Sequence, residues 1–288
     1  MDPSVARRLW SRFEPYHAVT YFSPLAREAW AAAGVTGFWR GYFAGRAAPL
    51  GAVGPEVVTA TFANFHPRMV ERAVPDVWTR ITPAAALGAR LDGAVAALDA
   101  VLGPVTAAEA ELAPALRAVA GAATVEGRPL GAANASLEWP APDAVRATTW
   151  HAATILREHR GDGHVAALVA ADVDGCEAHV LAAAAGSSPR SVTQPNRGWT
   201  DDEWEAATAR LAGRGLVDAA SGLVTSAGRD LREGIEDATD RAALRPWRGV
   251  GPDLTERVEA LLDAVVAPLV GSGLIPEPNP IGLPPTRP

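Results

Sequence analysis

The sequence predicts a mostly α-helical fold with one small β-wing. Three observations carry that expectation. Alanine dominates the apolar set, which makes up 48% of the 288 residues, and alanine-rich periodic stretches favour helix. Prolines open and glycines close successive apolar stretches, the asymmetry that helix ends prefer. One stretch, Thr200 to Ala227, breaks this pattern with two short apolar runs, Leu216-Val217 and Leu223-Val224. They flank the polar Asp218-Ala219-Ala220-Ser221-Gly222, which reads as a short hairpin loop.

From the N-terminus, residues 3 to 13 predict a short helix carrying Val5, Leu9, Trp10 and Phe13. Glu14-Pro15 then restarts the chain, because proline is favourable at a first helical position. A helix from Leu25 to Ala33 ends at Gly34, and Gly37 to Pro55 reads as a glycine-rich corner with aromatics, Arg40 and Arg46. Glu56 to Asn64 is helix or buried strand, broken by His66-Pro67. Helices over Arg68–Ala73, Pro75–Arg80 and Pro83–Leu102 follow. Gly103 to Pro142 holds Pro104, Pro114, Pro129, Pro140 and Pro142, one candidate helix (Ala107–Ala120), and a loop at Gly127 to Ala133.

Asp143 caps a helix reaching about Glu158, His159 to His164 forms a corner, Val165 to Ala170 is a short helix, and Asp174 caps Gly175–Ala185. After the polar loop Ser187–Gly198, Thr200 and Glu203 form a capping box. Trp204, Ala207 and Leu211 recur at helical spacing, and Arg214-Gly215 closes the helix. Thr225 caps a helix from Ser226 to about Leu244; Leu254–Val270 is a last amphipathic helix before a proline-rich tail, expected to lie extended on the surface. A helix, a wing and a helix make the second half of a winged helix-turn-helix.

This order divides the chain into a helical N-terminal domain with Gly/Arg-rich corners (1–103), a Pro-rich linker with one helix (104–142), a winged-helix domain with its closing helix (143–273), and a Pro-rich tail (274–288). The halves share an order of entry helix, corner, short helices and long closing helix. Two pseudo-repeated winged-helix-like halves would explain it, and the sequence leaves that open.

A net charge of −7 supplies no global attraction to nucleic acid or anionic membrane. The single Cys176 excludes an internal disulfide and sits beside Ala and Val, as a small buried hydrophobe does. Without a leader pattern or a long apolar run, the expectation is a soluble, cytoplasmic protein with no membrane partner.

Trp204 to Leu231 reads W-x-x-A-x-x-R-L-x-x-R-G-L-V-x-x-x-x-G-L-V-T-x-x-G-x-x-L and resembles the wing region of MarR-type regulators. Over nearly the whole chain, EPYHAVTYFSP, GYFAGRAAPLG, FANFHP and RGDGH resemble an actinobacterial helix-turn-helix, MarR-like family. The resemblance implies a winged-helix fold.

The residues argue against DNA as the partner. The presumed recognition helix opens with Asp201, Asp202, Glu203 and Glu205. The helix dipole favours them, but they would face phosphates, whose contacts dominate affinity. The wing has no arginine, and Arg210 and Arg214 lie near the C-terminus of the 201–214 helix. Arg190, Gln194, Asn196 and Arg197 in the preceding loop remain for backbone contacts.

Chemistry gathers elsewhere. Glu14-x-x-His17 has carboxylate–imidazole metal spacing, although Pro15 makes Glu14 a cap that could instead orient His17; Tyr21 falls on the same face. Arg40 and Arg46 bracket GYFAG, where glycines let backbone approach a ligand and an arginine clamps an anion. The alternative is close helix packing, with Arg46 paired to Glu14. His66 before Pro67 could be a general base, an axial ligand or a C-terminal cap. Asp162-Gly163-His164 could be an acid–base dyad or an Asx-type turn. No Walker, G-x-G-x-x-G, G-x-S-x-G, H-E-x-x-H or paired-Cys pattern occurs, so neither metal nor cofactor is assigned.

If the corners converge, Glu14, Trp39, Tyr42, Phe43, Arg46, Phe65 and His66, with Phe62, line a pocket for a small organic ligand, and His17, Tyr21, Asp162 and His164 are the catalytic candidates. The expected function is small-molecule binding on a winged-helix scaffold, with acid–base chemistry between the two halves. The alternatives are a ligand-responsive, homodimeric DNA-binding regulator and a protein-interaction module that docks through its acidic helix.

Overall fold

The structure, a computed structural model, describes residues 1–283. The helices are α1 (Ser4–Phe22), α2 (Pro24–Ala32), α3 (Phe38–Ala47), α4 (Pro55–Phe62), α5 (Pro67–Glu71), α6 (Pro83–Leu102), α7 (Ala107–Gly121), α8 (Pro129–Ala135), α9 (Val145–Ala170), α10 (Gly175–Ala184), α11 (Arg190–Thr193), α12 (Asp201–Gly213), α13 (Ser226–Ala243), α14 (Arg245–Val250) and α15 (Pro252–Gly271). Short 3-10 turns at Ala48–Leu50 and Asp76–Thr79 join α3 to α4 and α5 to α6. No described helix is long and apolar enough to cross a membrane.

Several local signals are overridden by packing. Glu14-Pro15 does not restart the chain: α1 runs unbroken through Pro15. Proline forfeits one backbone hydrogen bond, but Leu9, Phe13, Tyr16 and Val19 are fully or almost fully buried along the same helix and hold it together. Glu14 is therefore an interior residue, 1% exposed, and not a cap. The expected corner at Gly37 to Pro55 is mostly the helix α3. A Cβ on Gly41 or Gly45 would lie 2.9 Å from the Trp30 ring, so both glycines let the indole lie against α3.

The expected loop at Gly127 to Ala133 gives way to α8, and the expected corner at His159 to His164 is the middle of the 26-residue α9. Gly163 interrupts nothing. Its missing side chain leaves room for Arg128, which donates to the carbonyls of His159 (2.6 Å) and Ala242 (3.0 Å).

Three clusters form the interior. The first joins α1, α6, α7, α9 and α13 to α15 through Leu9, Phe13, Leu98, Leu112, Leu116, Trp150, Trp247 and Leu262. Both ends of the chain and α7 thus share one core. The second packs Trp30, Phe43, Phe62, Phe65, Val74 and Leu130. The third, around α10, α12 and α13, holds Leu168, Cys176, Leu181, Trp204, Leu211 and Ile235. Burial pushes the Cys176 thiol up to about 12, as for an inert core cysteine.

The expected wing shrinks to one antiparallel bridge, Val217 to Val224, with no strand among the described residues. Asp218 Oδ1 accepts from the Ser221 amide at 2.8 Å and closes the turn. The Val224 amide goes to Ala184 O of α10, so the arms are too short for a ladder. No second bridge of this kind occurs among the described residues, so the first half has no counterpart. In the tail, Asn279 is buried and Pro280 O accepts from Arg197 Nη2; residues 284–288 lie outside the described residues.

The α2–α6 contact gives a stability test. A Cβ at Gly93 would lie 2.9 Å from Ala26 Cα, whereas Gly88 on the same helix meets nothing within 4 Å. Gly93→Val is expected to lower the unfolding free energy by about 1–3 kcal/mol through overpacking. Gly88→Ala should raise it by about 0.5–1 kcal/mol through helix propensity. Urea unfolding followed by circular dichroism reads both.

Candidate functional site

Two buried stripes meet at the site. On α1, Glu14, His17 and Tyr21 share a face; on α9, Trp150, Thr154 and Glu158 recur at four-residue spacing. Between them and α2, α3 and α6 lies a cavity of about 370 Å³, walled by His17, Tyr21, Trp30, Tyr42, Arg46, Arg90 and Glu158, with Thr36 to Phe38 along its edge.

The hydrogen bonds set the proton positions. Thr154 Oγ1 donates to Trp150 O at 2.8 Å, so it can only accept from His17 Nδ1, 3.0 Å away. His17 therefore carries its proton on Nδ1. Nε2 is left to accept from the Tyr21 hydroxyl at 3.0 Å. Trp150 stacks on the imidazole at 5.3 Å and donates Nε1 to His17 O at 3.1 Å. Burial, helped by the positive charge of Arg157, holds His17 well below its ordinary pKa, so the ring is neutral.

Charge is concentrated behind this pair. Arg46 donates Nε and Nη2 to the two oxygens of Glu158 at 3.0 and 2.9 Å, and Nη1 to Tyr42 Oη at 3.1 Å. Arg157 donates to Glu158 at 2.8 Å and reaches Glu14 at 3.4 Å. Burial alone would raise the Glu158 carboxyl, but Arg157 and Arg46 outweigh it and hold it well below the carboxylate range. Glu14 goes the other way: burial raises it, against Arg157 and the Trp10 N–H. The sequence-based pairing of Arg46 with Glu14 is thus corrected to Glu158, and Glu14 stands one arginine back from the cavity wall.

The remaining candidates divide. Trp39, Phe43 and Phe65 stand behind Tyr42, with Phe65 5.4 Å from Tyr42, 5.9 Å from Trp39 and 5.2 Å from Phe43. They support the wall without forming it. His66 is an N-cap, not a C-terminal cap, because Pro67 begins α5. Its Nδ1 accepts from the Arg68 amide at 3.0 Å, and its Nε2 lies 2.7 Å from Glu203 Oε1. Asp162 and His164 form neither a dyad nor a turn. Two positions apart on α9, they point to different neighbours: Asp162 accepts from the Gly131 amide at 2.8 Å, and His164 Nδ1 meets Thr239 Oγ1 at 3.0 Å.

Residues the sequence reading passed over complete the site. Arg90 is a lone cation on the buried face of an Ala-rich helix, in register with Ala86, Ala94 and Ala97; that register was its signal. Thr154 and Glu158 sit at four-residue spacing after Trp150 inside the expected helix, but their partners His17 and Arg46 are 137 and 112 positions away.

Two of the four acidic residues at the start of α12 have internal partners. Asp201 accepts from Arg190 (2.7 Å) and Gln194 (2.9 Å), and Glu203 caps Thr200 and accepts from Arg68 at 2.9 Å. Arg210 is held by Glu177 (2.8 Å) and Asp174 (2.6 Å), and Arg214 donates to Asp172 O at 2.6 Å. Asn196 bonds Val192 O at 2.8 Å, and Arg197 is buried.

Glu158→Gln would leave buried Arg46 without its anion and Arg157 with only the longer contact to Glu14, and is expected to cost about 3–5 kcal/mol of unfolding free energy. Because the folded pKa is depressed, the stabilisation is present above the ordinary value of 4.5 and fades as pH falls below it. The gap between wild type and variant in denaturant unfolding should therefore narrow between about pH 5 and pH 3. A gap constant with pH would mean that the carboxylate is not what the arginines hold.

No curated protein and no solved structure matches the chain. A family model described as a helix-turn-helix family matches residues 6–276. That match spans every helix that builds the cavity and the single-bridge turn as well, and the chain belongs to this helix-turn-helix family.

Proposed function

We propose that the protein binds a small organic ligand in the cavity between α1, α2, α3, α6 and α9. The observation that carries this reading is the cavity itself. Its volume of about 370 Å³ falls within the range of small-molecule sites, and Trp30, Val35, Phe38 and Tyr42 surround a few polar groups. Acid–base chemistry on such a ligand falls to Tyr21 backed by His17, because Asp162 and His164 stand outside the wall. In that pair the neutral imidazole accepts a hydrogen bond from the phenol. Burial raises the phenol pKa and lowers that of the imidazole, so His17 positions Tyr21 without taking its proton, and Tyr21 would meet the ligand through its oxygen.

A second reading, a ligand-responsive MarR-like regulator acting as a DNA-binding dimer, draws on family membership. The bonds from His66 and Arg68 to Glu203 would then join the cavity's aromatic backing to α12. The exposed face of α12 weighs against it: Asp201, Asp202 and Glu205 lead it, and Arg210 is already paired.

Ala31 is exposed on α2 at the cavity wall, so Ala31→Trp fills the space without disturbing a core position. In ligand-observed NMR with a fragment library, aromatic fragments are expected to bind the wild type and to lose at least about tenfold in affinity in Ala31→Trp. A library without a single hit sensitive to Ala31→Trp would overturn the reading. Sheared genomic DNA is expected to show no mobility shift at about 50 mM salt; retardation with a steep salt dependence would transfer the assignment to the regulator.

A further inference from the structure

Arg90 differs from the other cations around the cavity. It enters from α6, is 6% exposed and forms part of the wall. Its Nη1 donates to Gly45 O at 2.8 Å and its Nη2 to Asn134 Oδ1 at 3.2 Å. Its Nε has no hydrogen-bond partner, and among the described residues no carboxylate lies within ion-pair distance. Its guanidinium lies 5.2 Å from the Trp150 ring centroid.

The neighbourhood is over-supplied with positive charge. Arg46, Arg90 and Arg197 are buried and Arg157 is partly so, against the carboxylates of Glu158, Glu14 and Asp162. Both oxygens of Glu158 are occupied by Arg46 and Arg157. Arg197 also lacks a carboxylate, but it lies over Phe65 outside the wall and bonds Asn196 O and Pro280 O. Burial pushes Arg90 down only to about 10, so it stays charged at neutral pH. An isolated buried charge is costly unless paired, and an entering anion would relieve that cost.

We propose that the ligand of this cavity is a small organic anion, an apolar or aromatic body bearing one carboxylate or a similar acid group, whose charge is held against Arg90. This rests on the cavity being a ligand site. The other polar groups fit the assignment. Tyr21 directs its proton at His17 Nε2, which leaves its oxygen as an acceptor and a poor neighbour for an anion. The acid group therefore belongs at the Arg90 side, with the apolar body against Trp30 and Tyr42.

The test uses two fluorescent probes with one aromatic framework, the anionic 1-anilinonaphthalene-8-sulfonate and the neutral N-phenyl-1-naphthylamine. Only signal abolished by Ala31→Trp counts as cavity binding. On the full chain at neutral pH the anion is expected to bind at least about tenfold more tightly, with phenylacetate displacing it and phenylacetamide not. Arg90→Gln should bring the two probes to within about twofold, while Arg90→Lys keeps most of the preference. Equal affinities in the wild type would overturn the anion assignment and leave the cavity reading standing. Absence of cavity binding by either probe would overturn both. A preference for the anion that survives Arg90→Gln would place the charge elsewhere and also overturn the assignment. Should Arg90→Gln not fold, phenylacetate against phenylacetamide on the wild type decides alone.

Discussion

Glu158 is the charge on which the interior depends. It reaches across from α9 to a bidentate contact with Arg46 of α3 and shares itself with Arg157, which in turn reaches Glu14 of α1. Three helices from distant parts of the chain are thereby fixed around one carboxylate. Buried ion pairs add little net stability relative to an apolar core, but they tolerate few geometries. The hydrophobic clusters on either side could slide by a fraction of a turn; the fork on Glu158 could not. The shape of the cavity beside it follows from that restriction, as does the orientation of Tyr42, which hydrogen bonds to the same guanidinium.

Much of the helical framework was legible in the residues, and the failures within helices share one cause. The capping box of Thr200 and Glu203 is present, and α6 spans Pro83 to Leu102 as its proline entry and glycine exit imply. Where a glycine or proline sat inside a helix, local grammar misled. Pro15 marks a boundary by local rules yet is interior to α1; Gly161 and Gly163 favour a corner yet are interior to α9. In each case burial on neighbouring helices outweighs a propensity deficit of about 1–3 kcal/mol. The short wing failed for a different reason: its apolar pairs are present, but the Val224 amide goes to Ala184 O of α10 and not across to the facing arm.

The site was legible in its residue types and not in its partnerships. His17, Tyr21, Tyr42 and Arg46 stood out because imidazole, phenol and guanidinium cluster near glycines, yet Thr154 lies 137 positions from His17 and Glu158 lies 112 positions from Arg46. The stripe Trp150, Thr154 and Glu158 falls wholly inside the expected helix, but nothing local says which distant helix it faces. Arg90 shows the converse. A lone charge in register with buried alanines carries information because burying it is costly. On α12 the acidic turn that argues against DNA also has a structural task, since Glu203 joins the third cluster to α5 through His66 and Arg68.

The pairing of the first helix with the last has a temporal consequence. Arg8 of α1 bonds Glu259 of α15, 251 positions away, and Leu9 and Phe13 share a core with Leu262. At roughly 5–20 residues per second of synthesis, α1 leaves the ribosome some tens of seconds before its partner exists. The part of its face that packs on α15 stays uncovered for that interval, although α6, α7 and α9 emerge earlier, so the first core closes only after translation is nearly finished. The second cluster, built almost wholly from residues before 131, can form while the chain is still being made. The aromatic backing of the cavity would then be in place before the wall contributed by α9, and the last helix would complete the first core around both.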